Sequence, residues 1–158
     1  MCGIVGYIGE KPVYDILING LKKLEYRGYD SSGVMIYNNE LLIKKSKGKV
    51  SALENLFSNE KDKKGTIGIG HTRWATHGPP NQVNSHPHIS NSGEISLVHN
   101  GIIENYNSIK KILLKKGYTF SSDTDSEVLV NLIEDIKKSK KVKLGKAVYY
   151  ALKQVVGA

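Results

Sequence analysis

The sequence predicts an α+β fold built from layers of strands and helices. Most of the first hundred residues fall into short apolar segments separated by glycine- and asparagine-containing loops, which is typical of strands. The last third shows apolar residues at helical spacing. The 158 residues contain no internal repeat or low-complexity linker, so they fit one domain with its own core. Strands followed by a helical tail favour the α+β class.

The first half of the chain predicts a strand, a helix and a hairpin. The strand runs from Cys2 to Ile8, and the helix behind it has Pro12 in its first turn. A glycine-bounded loop then leads into paired strands at 33–37 and 40–45. Asn38 and Asn39 between them tolerate the positive φ of a tight turn. A short helix is predicted over 51–57.

The second half predicts two further strands and three helices. A buried strand covers 66–74, and the loop from 75 to 92 holds three of the four prolines. Another strand is predicted over 95–99. A helix over 107–116 ends at Gly117, a suitable left-handed cap. Thr124 and Glu127 form a capping box for the next helix, and the last helix runs over 144–155.

The net charge of +8 raises the possibility of a nucleic-acid-binding domain. The lysines, however, occur in scattered clusters on polar helix faces. They lack the arginines and interleaved aromatic residues of nucleic-acid sites. We therefore expect a solvated surface and no nucleic-acid partner.

Other features of the sequence predict a cytoplasmic protein without membrane attachment. No apolar run approaches the roughly 20 residues needed to span a bilayer. The apolar N-terminus lacks the basic residues and long apolar region of a secretion signal. The single cysteine excludes an internal disulfide and suits a reducing compartment.

Cys2, the single cysteine, is a candidate nucleophile. Removal of Met1 would leave one residue with both a thiol and a free α-amine. The amine titrates close enough to the thiol to accept its proton near neutrality. The alternative is an ordinary buried cysteine in an apolar strand.

Arginine is rare in this lysine-rich chain, and its two positions are candidate anion-binding sites. Arg27 and Arg73 both lie in unusual segments, and a guanidinium can hold a carboxylate with two parallel hydrogen bonds. Near Arg73, the segment 71–78 adds Trp74, Thr76 and His77. This set suits a small zwitterionic substrate, although a core tryptophan beside a surface arginine is the alternative.

Two further segments carry groups for amide chemistry. Asn100 and Gly101 supply a side-chain amide and an accessible backbone N–H, the usual donors to an oxyanion, but they also fit an ordinary turn. Asp125 lies at a predicted helix start, where the helix dipole keeps a carboxylate ionised. It can bind an ammonium group or act only in helix electrostatics.

The five histidines do not predict a metal site. His86 and His88 resemble a ligand pair, but the span from Lys63 to Ile103 has one carboxylate, Glu94, and no cysteine. No histidine pair shows the helical i, i+4 spacing of common zinc sites. We expect neither a metal nor another cofactor.

Several motifs together resemble the class II, N-terminal-nucleophile glutamine amidotransferases, and within them the glutaminase domain of the glutamine–fructose-6-phosphate aminotransferase family. The resemblance covers essentially the whole chain. In order, the motifs are Cys-Gly-Ile-Val-Gly at 2–6, Leu-Glu-Tyr-Arg-Gly-Tyr-Asp-Ser at 24–31, His-Thr-Arg-Trp-Ala-Thr-His-Gly at 71–78, Asn-x-His-Pro-His at 84–88, His-Asn-Gly-Ile-Ile-Glu-Asn at 99–105 and Thr-Asp-Ser-Glu at 124–127.

The resemblance implies a role for each matching residue. Cys2 is the nucleophile, its freed amine is the base, the carbonyl of Gly28 orients that amine, and Arg27 braces the loop. Asn100 and the N–H of Gly101 form the oxyanion hole. The implied substrate is L-glutamine, with Arg73 on its α-carboxylate and Asp125 on its α-ammonium. Trp74, Thr76 and His77 complete the pocket.

The resemblance also implies a four-layer αββα N-terminal-nucleophile hydrolase sandwich. We expect residues 1–158 to be a C-terminally truncated glutaminase domain, because family members continue with further strands. They then add isomerase domains, absent here, that use fructose 6-phosphate. The full-length protein is expected to be a homodimer. The alternatives are a non-catalytic module and the glutaminase part of an amidophosphoribosyltransferase.

Overall fold

The structure is a computed structural model that describes residues 2–74 and 82–157. The chain divides into two units, Met1–Pro87 and His88–Ala158, each with its own apolar core. Both units contain antiparallel strands and α-helices, which confirms the predicted α+β class. The single domain expected from the sequence stays a prediction.

The first unit is built on one antiparallel sheet of four strands. Its strands are β1 (Gly3–Ile8), β2 (Ser31–Asn38), β3 (Glu40–Lys47) and β4 (Ile67–Arg73), in the order β1-β4-β2-β3. Asn39 adopts a φ of 65° between β2 and β3, which confirms the predicted hairpin. Helices α1 (Val13–Leu24) and α2 (Val50–Glu54) belong to this unit, as do 3-10 turns at Glu25–Arg27 and Glu60–Lys63.

Close packing of α1 against β4 holds the strand that ends in Arg73. The helix buries one stripe of side chains, Val13, Leu17, Ile18 and Leu21. On β4, glycines make room for it: a Cβ on Gly68 would lie 2.8 Å from Leu17 Cδ1. Such close contacts leave little freedom for β4 to shift along the helix.

The second unit is organised around one long buried helix. Its elements are β5 (His88–Ile89), β6 (Ser96–Leu97), α3 (Tyr106–Lys115), α4 (Asp125–Lys140) and α5 (Leu144–Leu152). Most of α4 is buried, and α3, α5 and both strands contact it. None of the helices in the described part of the chain is long and apolar enough to cross a membrane.

The predicted elements of this unit are found with different lengths. The strand predicted over 95–99 is confirmed but reduced to β6. The prediction of a continuous loop over 75–92 is wrong at its end, because His88 and Ile89 pair with Leu97 and Ser96. A two-residue strand carries too little local pattern to be recognised beside a proline.

Candidate active site

Cys2 lies immediately before β1, and the end of β4 approaches its sulfur. The backbone N–H of Trp74 donates a hydrogen bond to Cys2 Sγ at 3.2 Å. The sulfur is also 3.6 Å from the carbonyl oxygen of Trp74. The sulfur can thus accept a hydrogen bond from one backbone N–H and donate its own hydrogen to a backbone carbonyl, so it lies among polar groups.

The residue after Cys2 is fixed to β4 by Thr72, whose role the sequence alone does not reveal. Gly3 donates its backbone N–H to Thr72 Oγ1 at 3.2 Å, and Thr72 is fully buried. A Cβ on Gly3 would lie 2.7 Å from Leu24 Cβ, so this position has no room for a side chain. The strand register, with Gly3 opposite Thr72, is the signal that reveals this anchor.

The loop before β2 packs against the same end of β4. A Cβ on Gly28 would lie 2.9 Å from the carbonyl carbon of Arg73, which explains a glycine at this position. Asp30 donates its N–H to the carbonyl oxygen of Arg73 at 3.1 Å. The ring of Tyr29 meets Trp74 edge-on at 5.5 Å between centroids.

The first unit therefore brings together four of the predicted site residues, Cys2, Gly28, Arg73 and Trp74. Arg73 is buried and Trp74 is 44% exposed. Half-buried Arg27 ends the 3-10 turn directly before Gly28. Thr76 and His77 lie outside the described residues.

The remaining predicted residues, Asn100, Gly101 and Asp125, lie in the second unit. Asn100 and Gly101 are exposed and lie three and four residues after the end of β6. Asp125 is the first residue of α4 and is buried, and its Oδ2 accepts a hydrogen bond from the backbone N–H of Ile103 at 2.8 Å. One oxygen of this carboxylate thus binds the loop that contains Asn100.

A polar network fixes the start of α4. Thr124 Oγ1 accepts a hydrogen bond from the N–H of Glu127, as the predicted capping box requires. The carboxylate of Glu127 accepts instead from the N–H groups of Ser121 and Ser122, at 2.9 and 2.7 Å. His88 Nε2 lies 2.9 Å from Thr124 Oγ1 and joins β5 to the cap.

The described residues contain no group of three His, Cys, Asp or Glu side chains that could hold a metal ion. The described site residues offer a thiol on Cys2, a side-chain amide on Asn100, a guanidinium on Arg73 and a carboxylate on Asp125.

Comparison with known proteins assigns these features to a family. The family model of the glutamine amidotransferase domain matches residues 54–147, more than half of the chain. The chain belongs to the glutamine amidotransferase domain family. The glutamine amidotransferase family predicted from the motifs is thus confirmed.

Relatives of this glutamine amidotransferase domain are much longer. A glutamine–fructose-6-phosphate aminotransferase (isomerizing) from Bacteroides thetaiotaomicron is 59% identical over 160 residues, which cover 100% of this chain and 26% of that protein. An aminotransferase of the same name from Caldanaerobacter subterraneus is 60% identical over 136 residues, covering 85% of this chain and 22% of its own length. The chain spans about a quarter of the length of such relatives.

Solved structures support the predicted fold. The glutamine phosphoribosylpyrophosphate amidotransferase of B. subtilis, complexed with ADP and GMP, superimposes with a TM-score of 0.81 at 29% identity. The match covers 100% of this chain and 34% of that one. A structure described as the allosteric regulatory enzyme of purine biosynthesis gives a TM-score of 0.82, also at 29% identity and with the same coverage of both chains. The amidotransferase fold implied by the resemblance is confirmed.

Proposed function

We propose that this amidotransferase domain hydrolyses the side-chain amide of L-glutamine to glutamate and ammonia through a thioester on Cys2. The observation that carries the proposal is the hydrogen bond from Trp74 N–H to Cys2 Sγ, beside Gly28 and Arg73, in a chain of this family. A reactive cysteine needs a polar, partly accessible environment, and Cys2 is half-buried next to backbone amides.

The reaction begins with attack of Sγ on the side-chain carbonyl carbon of glutamine. The C–S bond forms, and the thiol proton passes to the freed α-amine of Cys2, which later donates it to the leaving nitrogen. The C–N bond then breaks, ammonia leaves, and water cleaves the γ-glutamyl thioester. This chemistry requires removal of Met1.

Binding of the amino acid backbone is the second part of the proposal. Arg73 holds the α-carboxylate and Asp125 the α-ammonium, since a guanidinium and a carboxylate are complementary to these two groups. Trp74 shields this end from water, Thr76 and His77 complete the pocket, and Arg27 braces the loop that contains Gly28. Asn100 and Gly101 stabilise the oxyanion. In other enzymes, loss of one such donor lowers kcat by about 100- to 1,000-fold.

We further propose that the ammonia is used by the full-length protein to convert fructose 6-phosphate to glucosamine 6-phosphate, in a cytoplasmic homodimer. Identity of 59% to the Bacteroides aminotransferase favours this acceptor over phosphoribosyl pyrophosphate. Phosphoribosyl pyrophosphate is the second candidate acceptor, and the TM-score of 0.81 to the B. subtilis enzyme supports it. Assays of the full-length protein with each acceptor in turn decide between them.

Replacement of the nucleophile tests the proposal. Cys2→Ala and Cys2→Ser in the full-length protein should each lower ammonia release from glutamine by more than about 1,000-fold, because the thioester cannot form. Ser58→Ala, an exposed hydroxyl in the same unit, is the matched control and should keep the original rate.

Two further measurements separate loss of chemistry from loss of processing. Mass spectrometry of the intact wild-type protein should show that Met1 has been removed. An electrophilic glutamine analogue should add one label to the wild type and none to Cys2→Ala. Undiminished ammonia release from Cys2→Ala would overturn the proposed function.

A further inference from the structure

A histidine beside the proposed oxyanion donors is held by the first turn of α4. His99 Nδ1 lies 3.2 Å from Ser126 Oγ, and Ser126 is buried. We propose that His99 is a positioning residue, which fixes the orientation of the Asn100–Gly101 peptide through its hydrogen bond to Ser126. This inference rests on the proposed function, in which that peptide stabilises the oxyanion.

The direction of the hydrogen bonds follows from the neighbouring carboxylate. Ser126 Oγ lies 3.5 Å from Asp125 Oδ1, and an ionised carboxylate can only accept. A serine hydroxyl that donates to Asp125 accepts from His99 through its oxygen, and the ring then carries its hydrogen on Nδ1. The structure thus favours a His99 ring that carries hydrogen on Nδ1.

The ring of His99 also limits the position of Gly101. A Cβ built on Gly101 would lie 2.8 Å from His99 Nε2, so the ring packs directly against the glycine backbone. If the ring is held by Ser126, the Gly101 backbone rests on a fixed surface. A side chain at Gly101 would displace either the ring or the peptide.

The loop is thus attached to α4 on both sides of Gly101. His99 binds Ser126 on one side, and the N–H of Ile103 binds Asp125 Oδ2 at 2.8 Å on the other. Both attachments end in adjacent residues of one buried helical turn. Asn100 and Gly101 are themselves exposed, and these two attachments to a buried turn restrict rotation of their peptide.

An oxyanion donor must be oriented before the reaction to be effective. Its interaction with the substrate strengthens as the tetrahedral intermediate forms, so misorientation lowers kcat more than it raises KM. Loss of one such donor costs about 100- to 1,000-fold in kcat elsewhere. A donor that is loosened but not removed should lower kcat by about 10- to 100-fold.

The test uses ammonia release from glutamine by the full-length protein. His99→Phe keeps a ring against Gly101 but removes the hydrogen bond, and it should lower kcat about 10- to 100-fold. KM should stay within about threefold of the wild-type value, because ground-state binding is retained. His99→Asn places an amide N–H near the position of Nδ1 and should recover part of the lost kcat. Ser108→Ala, an exposed hydroxyl on α3, should have the original kcat and KM.

A double-mutant cycle separates positioning from general destabilisation. Ser126→Ala removes the same hydrogen bond by deleting the hydroxyl that His99 contacts. The double variant His99→Phe/Ser126→Ala should therefore have a kcat no more than about threefold below that of the worse single variant. An aldehyde analogue of glutamine, which forms a tetrahedral adduct with a thiolate, should bind His99→Phe more weakly in proportion to kcat. Glutamate should bind it as before.

The outcomes distinguish this inference from the proposed function. Full activity of Cys2→Ala would overturn the proposed function itself. Inactive Cys2→Ala together with wild-type kcat in His99→Phe and Ser126→Ala would overturn only the role of His99. Fully multiplicative losses in the double variant, or a His99→Phe defect confined to KM, would also overturn it.

Discussion

Gly28 shows how a single residue controls the backbone around the sulfur of Cys2. An alanine Cβ at this position would lie 2.9 Å from the carbonyl carbon and 3.1 Å from the carbonyl oxygen of Arg73. These are backbone atoms of β4, which cannot rotate away as a side chain would. We expect Gly28→Ala to destabilise the chain by about 1 to 3 kcal/mol. It should also slow ammonia release, because the Trp74 N–H moves relative to the sulfur.

A second glycine provides a control, because its replacement by alanine should change the stability in the opposite direction. Gly145 lies inside α5, and a Cβ built on it meets no atom within 4 Å. Gly145→Ala should therefore stabilise the chain by up to about 1 kcal/mol through helix propensity. Urea denaturation of both variants measures the two effects, and equal midpoints would contradict the role of close packing at Gly28.

At single positions, the sequence reveals residues that are chemically rare. Cys2 and Arg73 could be selected because the chain contains one cysteine and two arginines. Thr72 could not, since threonine is common in strands and its hydroxyl matters only because the register sets it opposite Gly3. The role of His99 could not be predicted either, because its partner Ser126 is 27 residues away in sequence.

Among the elements, α4 shows both the strength and the limit of local sequence patterns. Thr124 and Glu127 predicted the start of this helix correctly, because a side-chain cap requires a fixed spacing. The pattern did not predict that Glu127 would bind Ser121 and Ser122 instead of the backbone of Thr124. Competition among neighbouring backbone donors is decided by the loop conformation, which local spacing does not specify.

Further along α4, Glu134 connects the helix to the loop between β5 and β6. It is buried and accepts hydrogen bonds from the N–H of Ser92 at 3.2 Å and from Lys138 at 2.6 Å. Burial raises the pKa of its carboxyl, but the hydrogen bonds from Lys138 and Ser92 leave the pKa below its ordinary value of 4.5. The ionised form is therefore preferred in the folded protein, and it contributes stability above the unfolded-state pKa.

We predict that Glu134→Gln lowers the free energy of unfolding by about 1 to 3 kcal/mol at pH 7. As pH falls below 4.5, the wild-type carboxyl takes up a proton and the difference between the two proteins should shrink. Urea denaturation at several pH values between 7 and 3 measures this difference. A constant difference over that range would contradict the assignment.

The control for Glu134 is Glu94, which also pairs with a lysine but at the surface. Its side chain is 64% exposed and lies 3.3 Å from Lys137. Exposed ion pairs contribute little because water screens them. Glu94→Gln should therefore change the free energy of unfolding by less than about 0.5 kcal/mol at any of these pH values.

For the whole molecule, the composition did not predict that the chain forms two apolar cores. Apolar residues at helical spacing mark part of each core, among them Leu17 and Leu21 in the first unit and Leu129 and Ile133 in the second. The division between Pro87 and His88 has no linker-like composition to mark it. It follows from which residues contact one another in space, a property that a single sequence does not display.

The net charge of +8 is also a property of the whole molecule. The structure shows which contacts several of the lysines make. Several form ion pairs at 2.6 to 3.3 Å with carboxylates of the same chain, including Lys22 with Glu54, Lys44 with Asp62 and Lys116 with Asp135. Others lie over aromatic rings, as Lys153 does over Tyr149 at 4.4 Å. These aromatic faces are covered by lysines, so they are poorly available for stacking on bases.

We therefore predict only weak, general electrostatic attraction to nucleic acids. Duplex DNA and single-stranded RNA should retain the chain at low salt and release it by about 150 mM salt, because few phosphate contacts can form at once. The double variant Lys111→Glu/Lys115→Glu, on exposed positions of α3, lowers the net charge from +8 to +4 and should elute at proportionally lower salt. A dissociation constant below about 1 μM at 150 mM salt would instead identify a specific nucleic-acid site, since non-specific binding is weaker than this under such conditions.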